Sequence, residues 1–252
     1  MTNSKHNILT IDGLKKSYGG VHAVDDCSFG VEQGTITALI GPNGSGKTTV
    51  FNLVSGVTRA DGGKILLNGH DIVRLQPHII SNLGVSRVFQ QSRLFANLTV
   101  EENLMLAFDN EDQKFWASFL GLKNKNQISK KKIIDDYLEE MRITHMRDKQ
   151  ARDLSFGQKR LVEILRALIN PHNLLMLDEP VAGVTPELRA KIADTLRGLK
   201  AKGETILLIE HDMNFTLKVS DWVIVMDAGK VIAEGTPEEI RQNPQVLEAY
   251  LD

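Results

Sequence analysis

The chain has 252 residues, 42% of them hydrophobic, and 30 basic against 32 acidic residues give a net charge of −2. This length suits one large α/β domain or two modest ones, and the near-neutral charge gives no global basis for binding nucleic acid or an anionic bilayer. The single cysteine, Cys27, excludes a disulfide framework and a cysteine-based metal site. The polar N-terminus and the lack of about 18 consecutive apolar residues predict a protein that stays in the cytoplasm.

Short apolar runs make the first third of the chain β-rich. The strand candidates are residues 8–11, 28–31, 35–40, 64–67 and 85–89. Helical periodicity follows at 100–108 and 132–141, and between them residues 123–132 carry five lysines and no acid. The simplest interpretation of that basic interval is a solvated loop.

Helices and strands alternate from Ser155 onward. Residues 174–177, 205–209 and 222–226 are continuous apolar runs, which are typical of buried parallel strands. The sequence therefore predicts a doubly wound, mainly parallel α/β sheet, with a helical region inserted between its two halves.

The stretch after residues 35–40 has the form G-x-x-x-x-G-K-[ST], which is a phosphate-binding loop between a strand and a helix. Glycines let several backbone N–H groups point inward, and they meet the positive end of a helix dipole. In this motif Lys47 reaches the β- and γ-phosphates, and the Thr48 hydroxyl binds Mg²⁺. The candidate nucleotide-binding residues here are Gly41, Pro42, Asn43, Gly44, Ser45, Gly46, Lys47, Thr48 and Thr49.

Two adjacent carboxylates, Asp178 and Glu179, end the apolar run at 174–177. Open α/β sheets bind ligands at this carboxyl edge. Asp178 suits the Mg²⁺ shell, and Glu179 suits orienting or deprotonating an attacking water. Taken without the phosphate loop, such a pair is often only a solvated strand end.

A second anion site is indicated at residues 154–158, Leu-Ser-Phe-Gly-Gln, before an amphipathic helix. Ser155 and Gln158 also have the spacing of a capping box, a purely structural alternative. The Ser155 hydroxyl, the Gly157 backbone and the helix N-terminus nevertheless favour anion binding.

The order of the phosphate loop, residues 154–158, Asp178-Glu179 and His211 resembles the ATP-binding subunits of ABC transporters over essentially the whole chain. The resemblance implies a P-loop NTPase core with an N-terminal antiparallel β subdomain, over residues 1–90 and 171–252. It also implies an inserted α-helical subdomain over 91–170, all within one nucleotide-binding domain. In that family two such domains meet head to tail, and each signature caps the ATP on the opposite phosphate loop.

The resemblance assigns further roles one residue at a time. Residues 154–158 look like the family signature Leu-Ser-Gly-Gly-Gln, with Phe156 at the first glycine, so Ser155, Phe156, Gly157 and Gln158 are expected to bind the partner's nucleotide. Three more assignments concern the same site. Tyr18 matches the residue that stacks on adenine, with Val24 nearby. Gln90 matches the glutamine that touches Mg²⁺ and links the core to the helical subdomain. His211 matches the switch histidine.

One stretch departs from the family pattern. Residues 180–186 match the segment that crosses the dimer interface, but the usual Leu-Asp is Val184-Thr185 here. Any polar contact normally made by that aspartate is therefore not carried over.

Four stretches resemble the ATPase subunits of branched-chain amino-acid importers: residues 87–90, 94–103, 209–213 and 249–251. Phe156, Glu210 and a helical insert near 115–122 fit the same branch. The resemblance implies transmembrane permease subunits as partners, with a substrate-binding protein acting indirectly, and placement on the inner face of the cell membrane. Leu94, Phe95 and Leu98 are candidates for the groove that accepts a permease helix, although they also suit the core of the helical subdomain.

Alternatives stay open at this point. Related ATPases for urea uptake or lipopolysaccharide export share several of these features. A soluble ABC-type ATPase usually carries two such domains or a long coiled-coil insert, whereas this chain has one signature and no sustained heptads. A P-loop kinase would leave residues 154–158 and His211 unexplained.

Overall fold

The computed structural model describes residues 6–89, 93–111 and 123–250. Two compact units make up the chain. The first comprises the residues up to Arg87, His172–Ala182 and the residues from Arg189 onward, and the second comprises Val88–Pro171 and Gly183–Leu188. Within the described residues, no helix has both the length and the apolar character that spanning a membrane requires.

The first unit contains an antiparallel sheet built from the N-terminal part of the chain. Its strands are β1 (Asn7–Tyr18), β2 (Val21–Glu32), β4 (Gly62–Leu67) and β5 (His70–Asp71), in the order β2-β1-β4-β5. Strands β1 and β2 are each 12 residues long, far longer than the apolar runs at 8–11 and 28–31 that predicted them. Long antiparallel partners carry polar residues on their solvent face, so hydrophobicity alone marks only part of each strand.

A second, mainly parallel sheet forms the nucleus of the same unit. Its strands are β3 (Ile36–Ile40), β6 (Val85–Val88), β7 (Leu174–Asp178), β8 (Ile206–Ile209), β9 (Trp222–Asp227) and β10 (Lys230–Gly235), in the order β10-β9-β3-β8-β7-β6. Strand β3 pairs in parallel with β8 and β9. Among the six strands of this sheet, β10 is the one that the sequence did not predict. The predicted fold class, α/β with an N-terminal antiparallel sheet, is confirmed.

The core of the first unit lies where both sheets meet helix α1 (Lys47–Val54). Leu9 of β1, Leu39 of β3, Phe51 of α1 and Ile224 of β9 belong to one cluster and are fully buried. Burying a side chain of this size contributes about 1.5–3 kcal/mol. Packing on one side therefore fixes α1 against the sheet, and its N-terminus lies at the carboxyl end of β3.

The remaining helices of the first unit are short, apart from one. They are α2 (Pro77–Asn82), α6 (Pro186–Ala201, which begins in the second unit), α7 (Met213–Val219), α8 (Pro237–Arg241) and α9 (Pro244–Ala249). Thr236 caps α8 and its hydroxyl accepts from the N–H of Glu239, which in turn accepts from Thr236. Capping boxes of this kind stabilise helices that are too short to be stable by propensity alone.

The second unit is helical. It contains α3 (Val100–Met105), α4 (Lys123–Glu140), α5 (Phe156–Ile169) and 3₁₀ turns at Leu106–Glu111, Thr144–Met146 and Ala151–Asp153. The prediction of a loop at residues 123–132 was wrong, because this interval forms the first half of α4. The interval contains no Gly or Pro, so nothing in it interrupts a helix. The buried apolar residues Ile134 and Leu138 anchor the second half of α4.

Candidate functional site

The phosphate loop connects the carboxyl end of β3 to α1. Gly41, Gly44 and Gly46 have φ values of 147°, 84° and 101°. A Cβ on Gly41 would lie 2.0 Å from the carbonyl oxygen of Met226, and one on Gly46 would lie 2.2 Å from that of Ala23. Two of the glycines are therefore required both by backbone conformation and by close approach to neighbouring backbone.

Helix α1 begins without a side-chain cap, because its N-cap is Gly46. The first N–H groups of an α-helix have no partner within the helix, and they carry the positive end of its dipole. This terminus thus presents donors and positive potential to the space above the loop, which is the requirement for binding a phosphate.

Lys47 folds back over the loop. Its ammonium donates to the carbonyl oxygens of Gly41 and Pro42, both at 2.8 Å, and to Ser45 Oγ at 3.3 Å. Burial lowers the pKa of Lys47, and the carboxylates of Glu179 and Asp178 partly oppose that shift. The cation therefore braces the loop that it would share with a bound phosphate.

Asp178, the last residue of β7, is held by a buried arginine. Its Oδ2 accepts from Arg87 of β6 at 2.8 Å, and both side chains are 5% exposed. The same guanidinium donates to Asn52 Oδ1 at 2.8 Å and to Ser55 Oγ at 2.9 Å. Arg87 consequently ties the acidic end of β7 to the helix that follows the phosphate loop.

Glu179 and His211 form the second acidic feature of the site. Glu179 Oε1 and His211 Nε2 are 2.8 Å apart, although Glu179 follows β7 and His211 lies in the loop after β8. The backbone of Glu179 has a φ of 50°, which is unusual for a residue with a side chain. Such strain persists where the surrounding structure holds the residue in place, often at a functional site.

These groups converge on one cavity of about 210 Å³ in the first unit. Its lining residues are Ala23, Asn43, Gly44, Gly46, Lys47, Thr48, Thr49, Glu179 and His211. A cation, helix N–H donors and a hydroxyl lie on one side, and a carboxylate paired with an imidazole lies on the other. This arrangement can hold a polyphosphate and present a base to its terminal group.

The residues 154–158 start α5 in the second unit. Ser155 Oγ accepts from the N–H of Gln158 at 3.3 Å, and Gln158 Oε1 accepts from the N–H of Ser155 at 3.0 Å. The capping box is therefore present. Phe156 is 52% exposed, whereas Gly157 is buried, and a Cβ on it would lie 2.2 Å from Leu188 Cδ2.

A family model described as ABC transporter matches residues 24–182, the interval that contains the loop, residues 154–158 and the acidic pair. The chain belongs to the ABC transporter family. A second model, described as branched-chain amino acid ATP-binding cassette transporter, matches residues 230–251.

Relatives and solved structures agree with this assignment over nearly the whole cassette. A probable branched-chain amino acid transport ATP-binding protein, LivG of Archaeoglobus fulgidus, is 42% identical over 246 residues, which is 97% of this chain and 95% of that protein. The lipopolysaccharide export system ATP-binding protein LptB of Haemophilus influenzae is 37% identical over 245 residues, covering 97% of each. The crystal structure of the ATP-binding cassette MJ1267 in its ADP conformation is 35% identical, covers 98% of this chain and 99% of that one, and has a TM-score of 0.85.

A magnesium ion fits the donors that the cassette provides. Thr48 lines the cavity, and Asp178 lies close enough to Lys47 to influence its pKa. Among the described residues no cluster of three or more His, Cys, Asp or Glu side chains could hold a metal. The Thr48 hydroxyl and the Asp178 carboxylate are oxygen donors of the kind that suits Mg²⁺, which keeps several waters and takes further oxygens from substrate phosphates.

Some predicted site residues lie away from the cavity. Tyr18 is 48% exposed at the end of β1, with the Lys16 ammonium 5.2 Å from its ring centroid. Val24 is 1% exposed and belongs to the core cluster, and its neighbour Ala23 lines the cavity. Successive residues of a strand face opposite sides, so Ala23 faces the cavity and Val24 faces the core. The contact of Val24 with the nucleotide stays a prediction.

Two predictions fall outside the described residues: Gln90 and the helical insert at 115–122. Phe89, the residue before Gln90, lies within the described ranges. The Phe89 carbonyl oxygen accepts from Arg160 of α5 at 2.6 Å, within the second unit.

Sequence reasoning missed three residues that shape the site, because each acts through a distant partner. Arg87 holds Asp178, and Glu210 accepts backbone hydrogen bonds from two loops. Tyr250, at the end of α9, has its pKa raised to about 12 by burial, an effect opposed by a hydrogen bond with the backbone of Gly41. The three residues lie in the stretches 87–90, 209–213 and 249–251, but their spacing in the sequence gives no indication of these contacts.

Proposed function

We propose that this protein hydrolyses ATP to ADP and phosphate as the nucleotide-binding subunit of a membrane importer for branched-chain or other hydrophobic amino acids. The observation that carries the proposal is the convergence of the phosphate loop, Lys47 and the Glu179–His211 pair on one cavity. Family membership and the similarity to a LivG protein support the same function.

The proposed reaction is in-line attack of water on the γ-phosphate. The N–H groups of α1 and the Lys47 ammonium stabilise charge on the phosphate oxygens, and Glu179 orients the water and takes its proton. His211 lies next to Glu179, beyond the carboxyl end of the neighbouring parallel strand β8, where it would reach the γ-phosphate. Thr48, Asp178 and Gln90 would hold Mg²⁺, which would supply positive charge to the phosphate oxygens.

The working unit in this proposal is a head-to-tail dimer of cassettes, as a homodimer or a heterodimer. Tyr18 stacks on adenine, and Ser155, Phe156, Gly157 and Gln158 of one protomer approach the nucleotide held by the other. The ring of Phe156 is exposed next to buried Gly157, so it is accessible to a partner protomer.

Permease subunits receive the movement of the dimer in this proposal, and the second unit is the helical subdomain that contacts them. Phe95 is 54% exposed, and the loop that carries it is fixed by buried Asn103, which bonds to the backbone of Phe95 and Leu98. An apolar side chain displayed on a rigid loop suits docking of a short helix from a membrane protein. The protein would then act on the cytoplasmic face of the membrane, and a substrate-binding protein on the other side would contribute indirectly.

The amino-acid cargo is supported by the match of residues 230–251 to a branched-chain amino acid cassette model. Lipopolysaccharide export is the second candidate, because LptB of Haemophilus influenzae is 37% identical over nearly the full chain. Vesicles that contain the cassette with its co-purifying permease subunits distinguish the two. ATP-dependent uptake of radiolabelled leucine supports import, whereas ATP-dependent extraction of lipopolysaccharide without leucine uptake contradicts it.

Glu179→Gln tests the chemistry. We expect kcat to fall by about 10²- to 10⁴-fold, the usual contribution of a general base, while ATP affinity is retained and the ATP-bound dimer accumulates. Steady-state phosphate release, nucleotide binding by fluorescence and size-exclusion chromatography measure these effects. Glu238→Gln, the same change at an exposed position of α8, is the matched control. Unchanged turnover in Glu179→Gln would show that the base is assigned wrongly.

A further inference from the structure

Glu210 is a buried carboxylate for which the proposed chemistry has no use. It follows β8 directly and is 3% exposed, so it has almost no access to water. Burial raises the pKa of Glu210, and backbone hydrogen bonds from Val181, His211 and Asp212 oppose that shift. A carboxylate in such a place is costly unless the surrounding donors satisfy it, which points to a specific task.

The two oxygens of Glu210 bind two different loops. Oε1 accepts from the N–H of Val181 at 3.0 Å. Oε2 accepts from the N–H of His211 at 3.1 Å and, at the longer distance of 3.4 Å, from that of Asp212. Val181 lies two residues after Glu179 at the end of β7, and His211 lies at the end of β8, so one side chain bridges the loops that carry the proposed base and its histidine.

Further contacts flank the bridge that Glu210 makes between the two loops. The backbone N–H of Glu179 donates to the Ile209 carbonyl at 3.0 Å, which extends the β7–β8 pairing by one step. Beyond that step, Asp212 caps α7 and pairs with Arg189 of α6, which fixes the far side of the second loop. Between these contacts, Glu210 connects the loop after β7 to the loop after β8, close to where the Glu179 and His211 side chains meet.

We propose that Glu210 is a positioning residue that fixes the loop after Glu179 against the loop of His211, and so sets the 2.8 Å spacing of that pair. This inference rests on the proposed ATP hydrolysis. Glu210 does not touch the cavity, so it acts through backbone only. A carboxylate suits this task because each of its two oxygens can accept from the backbone of a different loop.

Glu210→Gln tests the inference with little change in volume. The amide keeps one acceptor oxygen but turns an NH₂ group towards backbone N–H donors, so one of the two loops loses its contact. We expect kcat to fall about 10- to 100-fold, the scale expected for a displacement of about 1 Å in a catalytic group, with the KM for ATP changed by less than about 2-fold. Glu204→Gln, which alters a carboxylate paired with His172, is the matched control and leaves both constants unchanged.

A double-mutant cycle separates positioning from general structural support. Because Glu210 acts on the Glu179–His211 pair, Glu210→Gln added to His211→Ala should lower kcat by much less than it does in the wild-type background. The full 10- to 100-fold loss in both backgrounds would overturn the inference. Glu210→Asp, one methylene shorter, provides a second variant: with an unchanged melting temperature it should still lose kcat.

The outcomes distinguish the inference from the function on which it rests. A wild-type protein that hydrolyses ATP together with a fully active Glu210→Gln variant overturns the positioning role alone. A wild-type protein that hydrolyses no ATP, with or without its permease subunits, overturns the proposed function and the inference with it.

Discussion

Helices α1 and α5 both begin at glycine-containing segments that sequence patterns identify as anion sites, yet their N-termini are constructed in opposite ways. Gly46 precedes α1 in a left-handed conformation and offers no cap, so the first N–H groups face the cavity. Ser155 precedes α5, and it exchanges two hydrogen bonds with Gln158, at 3.0 and 3.3 Å. One terminus has no side-chain cap, whereas at the other two backbone N–H groups are satisfied by its own side chains.

This difference indicates an order of events in the proposed dimer. The α1 terminus needs no local rearrangement to accept a phosphate, and Lys47 already braces its loop. The Ser155 hydroxyl accepts from the Gln158 N–H and keeps its own proton, so it can donate to the partner's nucleotide without losing the cap. ATP binding to the phosphate loop should come first, because Ser155 can meet a nucleotide only when the second protomer docks.

Lys47→Met alters the uncapped α1 terminus and its phosphate loop, and it should have the largest effect on ATP binding and hydrolysis. The variant keeps the approximate length of the side chain but removes the ammonium that bonds to the Gly41 and Pro42 carbonyls. A hydrogen bond to a charged group is worth about 1.5–3 kcal/mol, so ATP affinity should fall by at least about 10-fold and hydrolysis by more. Isothermal titration with ATP and Mg²⁺ measures the affinity.

The control for that variant is Lys64→Met, which makes the same change at an exposed position of β4. Its ATP affinity should equal that of the wild type. If Lys47→Met bound ATP as tightly as the control, the loop would not be the primary phosphate site, and the proposed order of binding would be wrong.

Ser155→Ala tests the self-capped terminus and should have an intermediate effect. Loss of an N-cap hydroxyl lowers the free energy of unfolding by about 1 kcal/mol. ATP binding to the isolated cassette should be unchanged, but cooperative hydrolysis should disappear because the hydroxyl no longer reaches the partner's nucleotide. Denaturant unfolding and the dependence of the hydrolysis rate on ATP concentration measure the two effects.

Thr236→Ala provides the matched control, because Thr236 and Glu239 form an equivalent capping box at α8. It should lower stability by a similar amount and leave cooperativity intact. Cooperative hydrolysis that survives in Ser155→Ala would restrict this serine to its structural role.

The same contrast shows how much the sequence alone predicts. Strands β3, β7, β8 and β9 were predicted within one residue at each end, because burial on both faces gives a continuous apolar run. Strand β10 was missed, since Lys230–Gly235 is an edge strand whose residues are mostly exposed or half-buried. Helix α4 began earlier than predicted, because its first half has no apolar face to reveal it.

For the candidate site, the sequence predicted residues that act next to their neighbours in the chain. The phosphate loop and the Ser155–Gln158 box are local motifs, and their geometry follows from a few consecutive residues. The partners of Asp178 and of Val181 are Arg87 and Glu210, which lie far away in sequence and approach only when the strands pair. Pairing between strands depends on the whole fold, so these contacts required the structure.

Gln158→Glu makes the finest test of the comparison and should have the smallest effect on stability. Glutamate at this position preserves a capping box, and a carboxylate in the first turn of a helix adds about 0.3–1 kcal/mol of stability through the dipole. The same charge opposes approach of the partner's triphosphate, so cooperative hydrolysis should weaken although the fold becomes slightly more stable. Gln245→Glu, at an exposed position in the first turn of α9, introduces the same charge as the control and should leave hydrolysis unchanged. Because stability and activity move in opposite directions only if the α5 terminus faces an anion, equal or higher cooperativity in Gln158→Glu would contradict a nucleotide-binding role for this terminus.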